Sequence, residues 1–581
     1  MAYLEHLMTA ASPIHAVHAS LTVAIEHAIG HADVDPLLAP SRQSGVDLQA
    51  NFAMKLAKQL GWKPRQIAER VSAVLGDVDG LLAAVEVSGP GFLNLTFASG
   101  PLAAWATAAL NDPRLGVAFT AEPQTVVVDY SAPNVAKEMH VGHLRSTVIG
   151  DALVRALEFE GHTVIRANHL GDWGTQFGML TQHMLDTGIE HLPDFGALGV
   201  LYREAKHRFD TEPALKDAAR MRVVALQSGD PATLALWQDL VDVSLEHINE
   251  IYRRLDVTLT DEHVTGESFY NPLLASTVTA LLDAGVATES DGAVVVASER
   301  FTNQDGSPAV LIIRKSDGGY GYGVTDLAAI RYRVSELHAD RLIYVTDARQ
   351  AQHFAMVFDA AAAAGWLNGT RAEHVPFGTM LGDDGKPFRT RSGGTVALAD
   401  LLDDAIDRAR KVVDEKSPEL SDAERAQIGR TVGIGAVKYA DLATSRQRDL
   451  RFSLQRMLAL DGNTAPYLLY AHVRAAAIAH RAGETSGITT AITEPAEKVL
   501  ALKLAAFADV IADVTGTLEP HRLCTYLYEL AGVYTSFYEA CPVLKAETAE
   551  QRSSRLALCA LTSATLERGL GLLGISVPAR M

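Results

Sequence analysis

Two histidines and a glycine, His140, Gly142 and His143, stand where a β-branched run (Val126, Val127, Val128) turns through Pro133 and Asn134 and enters a helical pattern. The run reads as a strand. Leu144, Val148, Ile149 and Leu153 recur at helical spacing, with the acidic Glu138 in the approach. A phosphate held at this junction would meet the positive end of the helix dipole, its unpaired N–H groups and the imidazole donors. Gly142 has no Cβ and lets backbone and ligand come close. Such a turn suits chemistry that develops negative charge on phosphate oxygens, where donors must be in place beforehand. Four residues alone also fit an ordinary buried βα unit with satisfied core histidines, so the surrounding elements must decide.

Those elements follow in order along the chain. Residues 1–118 mix helical patterns (21–29, 48–60, 67–75) with extended pieces such as VEVSGPGFLNLTF, a small α+β module. The 125–151 unit leads into VIRANHLGDWGTQFG, a second strand running into a glycine-rich turn. Repeated strand, turn and helix predicts a Rossmann-like, doubly wound parallel sheet over 119–399, with ligands beyond the carboxyl ends of its strands. A polar, mostly helical insertion interrupts it from about 185 to 300; strands return at AVLIIRK and RLIYVTD, and the sheet closes near HVPFGTML. From 400 to 581 alanine, leucine and arginine recur at helical spacing, predicting an α-helical bundle.

The chain has 581 residues, enough for roughly three to four domains. Hydrophobic residues make up 48% and charged residues 21%, a soluble, globular balance. No apolar run reaches the roughly 18 residues of a membrane helix, so no membrane partner is expected. The first residues, MAYLEHLMTAASPIHAVHASL, lack the basic leader and apolar core of a signal peptide. Cys524, Cys541 and Cys559 have no close spacing, so neither a disulfide framework nor a structural metal is expected, and a cytoplasmic location fits. A net charge of −19 argues against indiscriminate coating of nucleic acid, and DNA is not an expected partner. One folded RNA gripped by local basic strips remains compatible. Lys438, Arg446, Arg448 and Arg451 form one such strip, followed by His472, Arg474, His480 and Arg481, although each alone reads as a solvated helix face.

The segment SAPNVAKEMHVGHLRST resembles the first signature of the class I aminoacyl-tRNA synthetases, and in this extended form most resembles that of the arginyl-tRNA synthetases. The resemblance implies activation of arginine by Mg²⁺–ATP and transfer to tRNA. The class's second signature, a flexible KMSK-type loop, corresponds to MLGDDGKPFRTRSGGTVAL. Alignment on Thr390, Arg391 and Gly393 puts Pro387 where the first lysine belongs. Many arginyl-tRNA synthetases share this departure, and in them a lysine just before the HxGH motif takes over its charge role. Lys137 occupies that place, with Lys386 and Arg389 as further candidates beside His140 and His143. The resemblance also implies an adenylate pocket walled by Gly171, Asp172, Trp173 and Gly174, with Gly142, Met380 and Thr390 among its ATP contacts.

Arginine carries a planar, permanently charged fork of donors, so a selective pocket wants carboxylates placed for two-point contact. Tyr322 and Asp326, one helical turn apart, can share a face. They match the family's tyrosine and aspartate around the substrate guanidinium; Asn134, Glu267 and Gln350 match residues that hold its amino and carboxylate ends. For RNA, GPGFLN resembles the family's D-loop reader, making Phe92 and Asn94 candidates for base stacking and edge reading. DGNTAPYLLYAHVRAAAI resembles its anticodon-binding helices, pointing to Tyr467, Tyr470 and Arg474, with Arg446, Arg451 and the terminal Met581 as further tRNA candidates.

The expectation is thus an arginine–tRNA ligase with partners tRNA(Arg), L-arginine and ATP, acting as a monomer. No separate editing domain is evident, and a carboxylate pocket can reject lysine by leaving charge unpaired. A class I synthetase for another amino acid, such as cysteine, is disfavoured by the lack of zinc-ligand spacing. A relative that only binds RNA gains slight support from the missing KMSK lysine; retention of His140, His143, Tyr322 and Asp326 argues against it.

Overall fold

The computed structural model describes residues 12–32, 34–382, 384–388, 396–480 and 490–581, His480 without its side chain. They fall into two compact units. Residues 1–119, 460–571 and 577–581 form one, and residues 120–459 and 572–576 the other.

In the first unit, β1 (Leu38–Pro40), β2 (Leu48–Ala50), β3 (Leu82–Ser88) and β4 (Phe92–Phe97) make an antiparallel sheet in the order β1-β2-β4-β3. Leu48, expected to open a helix, lies in β2 opposite Leu95, and the helix starts at Phe52. Five C-terminal helices (Ala465–His480, Pro495–Ala505, Phe507–Thr517, His521–Ala540, Ala549–Leu572) complete the unit. Ser12 Oγ donates to the Ala505 carbonyl at 2.8 Å, and Lys498 pairs with Asp47 at 2.7 Å.

In the second unit, β5 (Thr125–Asp129) and β6 (Thr163–Ala167) join two later strands in an all-parallel sheet. β7 (Thr288–Ser290), β8 (Ala293–Thr302) and β9 (Pro308–Arg314) form a separate antiparallel sheet; β10 (Arg341–Asp347) and β11 (Arg371–Phe377) complete the parallel one, ordered β11-β10-β5-β6. The AVLIIRK run is therefore β9 of the antiparallel sheet and no part of the nucleotide-type sheet. Its burial alternates residue by residue, Ala309, Leu311 and Ile313 inward and Val310 and Ile312 outward, as a one-faced strand requires. In the parallel sheet the chain runs outward one way from β5 to β6 and the other way from β10 to β11. The crevice between β5 and β10 is thus the topological switch point, where ligands bind in this architecture.

The Val141–Glu160 helix leaves β5 at that crevice. Apart from Arg155, every residue from Leu144 to Leu157 is buried, because the helix packs on the sheet on one side and on helices Leu398–Lys416 and Asp422–Leu442 on the other. Those two helices, beyond the boundary at 400 expected from sequence, lie in the same compact unit as the sheet. After β11 the chain makes β12 (Met380–Leu381), which pairs in parallel with β13 (Leu450–Arg451).

Candidate active site

The loop from β5 to the Val141–Glu160 helix is bent through three non-glycine residues in the left-handed region, Ser131 (φ 71°), Ala132 (φ 45°) and Ala136 (φ 63°). Each such residue costs about 1–3 kcal/mol and persists only where its surroundings impose it. Here they do. The Ser131 hydroxyl bonds Thr147 Oγ1 at 2.8 Å and the buried Tyr252 hydroxyl at 2.7 Å, and Tyr252 also accepts from Asn168 Nδ2 at 3.1 Å. The Ala132 N–H donates to Asn168 Oδ1 at 3.1 Å, and the Ala136 N–H to Ser244 Oγ at 3.1 Å. Tyr252 and Ser244 both lie on the Pro231–Arg254 helix of the insertion. The loop presents Asn134 and Lys137 to solvent, and its backbone pairs with Gly171.

At the helix start the two imidazoles cap each other's turn. Gly142 N–H donates to His140 Nδ1 at 3.0 Å, and His140 N–H donates to His143 Nδ1 at 3.1 Å, with the rings stacked at 4.0 Å. Because each Nδ1 accepts, each neutral ring carries its proton on Nε2. Burial, and after it the nearby Lys137 charge, lowers the His140 pKa; burial, His140 and Lys137 push that of His143 down to about 3. At neutral pH both rings are uncharged Nε2–H donors. A Cβ on Gly142 would lie 2.7 Å from His140 Cε1, so this glycine makes room for the His140 ring.

Across the crevice, Tyr322 and Asp326 stand on the first turns of the Tyr322–Ser335 helix, Tyr322 74% exposed. Asp326 Oδ2 accepts from His353 Nε2 at 2.6 Å. Glu267 begins the Glu267–Asp283 helix; burial, then the carboxylates of Asp172 and Asp326 against the opposing His169, lift its pKa to about 7. His169 in turn faces Asp129 at 3.7 Å, whose carboxylate is bonded to the buried Arg333 at 2.6 Å. Three carboxylates, Glu267, Asp326 and Asp172, thus lie within electrostatic reach of one another, with the Tyr322 hydroxyl near Glu267 and Asp172 held by its own hydrogen bonds. Such a cluster favours a cationic ligand.

Three family models match the chain: "tRNA synthetases class I (R), catalytic domain" over residues 106–454, "DALR anticodon binding domain" over 468–581, and "Arginyl tRNA synthetase N terminal domain" over 15–97. The arginine–tRNA ligase of Thermobifida fusca is 52% identical over 558 residues, covering 95% of this chain and 96% of the relative. That of Frankia casuarinae is 50% identical over 587 residues, 99% of each. This chain belongs to the arginyl-tRNA synthetases. It is accordingly an enzyme, an arginine–tRNA ligase. The solved Plasmodium falciparum arginyl-tRNA synthetase superposes with a TM-score of 0.85 at 28% identity, covering 97% of this chain and 98% of that one. The Thermus thermophilus enzyme gives 0.83 at 25% identity over 98% and 100%.

In this synthetase several residues stand differently from their sequence reading. Asp172 is not free for nucleotide: its carboxylate is buried and accepts both the Ser268 N–H (2.9 Å) and hydroxyl (2.5 Å), capping the helix that carries Glu267. Trp173 packs edge-on against Trp237 at 5.7 Å, and Gly171 and Gly174 frame the same turn, Gly174 at φ 118° where a side chain would be strained. The Met380 side chain is buried, and its carbonyl accepts from Phe388 N–H at 3.0 Å. Lys386 and Pro387 are exposed on the loop that follows, whereas Arg389, Thr390, Arg391 and Gly393 lie outside the described residues, as does Arg481. Gln350 is exposed at the end of the Ala348–Gln350 turn after β10.

Of the RNA candidates, Asn94 is 2% exposed, its amide oxygen accepting from Gln49 and its nitrogen donating to Gln43. These bonds tie it to Gln49 in the sheet that carries Phe92 and to Gln43. Lys438 is likewise buried, its Nζ donating to the carbonyls of Leu255 and Gly574, and His472 is buried against Ser563. Arg446 donates to the Pro376 carbonyl at 3.2 Å, while Arg451 is exposed on β13. Tyr470 is exposed on the Ala465–His480 helix; Tyr467 rests on Tyr528 at 5.6 Å, Arg474 lies over Tyr538 at 4.3 Å, and Met581 is half-buried at the terminus. Sequence reading missed His169, Arg333, Tyr252 and His353. NHLGDWG contains His169, and a polar residue inside a signature segment was the available signal.

Substituting Gly142 with alanine should displace the His140 ring and lower kcat by about 10²-fold, the usual cost of one preorganised donor. Alanine is the better helix former, but displacing the His140 ring gives up its cap, so these contributions offset and the melting temperature should change little. tRNA-dependent ATP–pyrophosphate exchange and a thermal melt separate the two effects.

Proposed function

We propose that the synthetase joins L-arginine to the 3′ end of tRNA(Arg) through an arginyl-adenylate formed from Mg²⁺–ATP. The arginine carboxylate attacks the α-phosphorus and pyrophosphate leaves; a tRNA ribose hydroxyl then attacks the acyl carbon and AMP leaves. His140 and His143 Nε2–H donate to the phosphate oxygens, and Lys137, with Lys386 and Arg389, supplies the cation missing at Pro387. Asp326 and Tyr322 take the guanidinium, and Asn134, Glu267 and Gln350 the other end of arginine. The observation that carries this reading is the meeting of Glu267, Tyr322 and Asp326 at helix starts beside the crevice, where burial first, and after it the carboxylates of Asp172 and Asp326, lift the Glu267 pKa to about 7. Among the described residues no cluster of three or more ligating side chains could hold a metal.

RNA contacts are assigned to Phe92, Tyr467, Tyr470, Arg474, Arg446, Arg451 and Met581. A monomeric, cytoplasmic enzyme is the accompanying reading; among the described residues no helix is long and apolar enough to cross a membrane. The test is charging of tRNA by the purified chain with each amino acid in turn. Arginine alone should be attached. Exchange of pyrophosphate into ATP should be negligible until tRNA is added, and strong exchange without tRNA would refute that dependence.

Glu267 also fixes a pH response. Its folded pKa lies above the usual 4.5, so ionising it costs the ligand-free protein stability as pH rises toward about 7, and a bound cation restores the balance. Arginine should therefore bind best above about 7. Its KM should rise about tenfold per unit below that, and E267Q should flatten the profile. A KM independent of pH between 5.5 and 8, chosen as roughly 1.5 units below and one above that pKa, would remove Glu267 from the pocket.

A further inference from the structure

We infer that His353 is a positioning residue for arginine recognition, fixing the plane of the Asp326 carboxylate so that it meets a guanidinium fork rather than a point charge. The inference rests on the reading of Asp326 as the guanidinium partner and extends it to a residue with no role assigned above.

The geometry is specific. His353 is the third residue of the Ala351–Ala363 helix, which follows β10 at the switch point, and Asp326 stands on a different helix. Nε2 lies 2.6 Å from Oδ2, and since a carboxylate only accepts, the proton is on Nε2. The ring is held in turn, lying edge-on to Phe354 at 5.4 Å, and Phe354 is buried against Tyr344 at 5.0 Å and His374 at 5.2 Å. The donor is therefore carried by a packed wall. One lone pair of Oδ2 is taken, which restrains rotation about the Cβ–Cγ bond and favours one plane for the remaining lone pairs, including those of Oδ1. A guanidinium needs that plane for two parallel N–H···O bonds, whereas an ammonium does not.

An Asp326 free to rotate would still attract cations but would lose its preference for the planar fork. With H353A, KM for arginine should rise about ten- to a hundredfold, the worth of a hydrogen bond to a charged group, with kcat changed less than about threefold. Inhibition by L-lysine should change less than about threefold, because a point donor gains little from the fixed plane. Glutamine places an amide N–H the same number of bonds from Cα as Nε2, and asparagine does not. H353Q should restore KM to within about threefold and H353N should not.

The decisive comparison is a double-mutant cycle with D326N. If His353 acts through Asp326, adding H353A to D326N raises KM no further. Full additivity, failure of H353Q to rescue, or an unchanged KM in H353A would each overturn the inference. A D326N enzyme with wild-type KM would instead overturn the underlying assignment of Asp326. Direct binding of arginine in the presence of tRNA, followed by calorimetry, gives the same comparison if a variant is too slow to assay.

Discussion

Replacing Asp326 with alanine is expected to lower kcat/KM for arginine by about 30- to 4,000-fold, the range for truncating one member of a desolvated charge pair. The loss has two parts. The substrate guanidinium, which cannot shed its charge, would be left in a crevice with one carboxylate fewer. His353 Nε2–H would lose its acceptor at 2.6 Å as well. Because Asp326 is remote in sequence from the helices matched by the anticodon-binding model over 468–581, tRNA affinity should stay within about twofold of the parent, a spread too small to carry a recognition contact. Aminoacylation kinetics and filter binding of tRNA give both numbers. A kcat/KM within threefold of wild type would mean that arginine is held elsewhere.

Breaking the ion pair between Arg145 and Asp441 should strongly destabilise the second unit. Both side chains are essentially excluded from water, at 1% and 0% exposure, with Nε 3.1 Å from Oδ1. Removing one partner strands the other charge, at about 3–5 kcal/mol. Urea denaturation of R145M should show that loss. A double substitution, R145M with D441L, should recover much of the stability, since an apolar pair of similar volume removes both desolvation penalties. Activity should not return with it. Arg145 also donates to the carbonyls of Gly378 (2.7 Å) and Arg448 (3.0 Å), and it sits two residues beyond His143. It therefore ties the histidine helix to the base of the loop that carries Lys386. A double variant that is stable and fully active would show that this tie contributes packing only.

How far the site is legible in the sequence depends on how far apart its partners lie along the chain. His140 and His143 are three apart on one helical turn, and Tyr322 and Asp326 four apart, so spacing alone placed each pair on a common face. The parallel sheet was readable for the same local reason, from strand, turn and helix in alternation. His353 and Asp326 are 27 residues apart, Arg333 and Asp129 are 204, and Arg145 and Asp441 are 296. No periodicity links such partners, which meet only because the sheet order β11-β10-β5-β6 brings distant crossovers together. Burial was illegible in the same way. Asn94 and Lys438 have side chains typical of a surface, yet their amide and amine are hydrogen-bonded internally. The AVLIIRK run was misplaced because a strand's local pattern does not state which sheet it joins.

The left-handed residues Ser131, Ala132 and Ala136 bear on how portable this site is. Their backbone is not a resting shape of the segment itself; it is imposed by Tyr252 and Ser244, more than a hundred positions later in the chain. A graft of residues 125–160 onto another nucleotide-binding sheet would carry every letter of the signature and relax to a different loop, taking Asn134 and Lys137 out of reach. The insertion helix Pro231–Arg254 acts as a splint, so the smallest transplantable catalytic module includes a segment that touches no reacting atom.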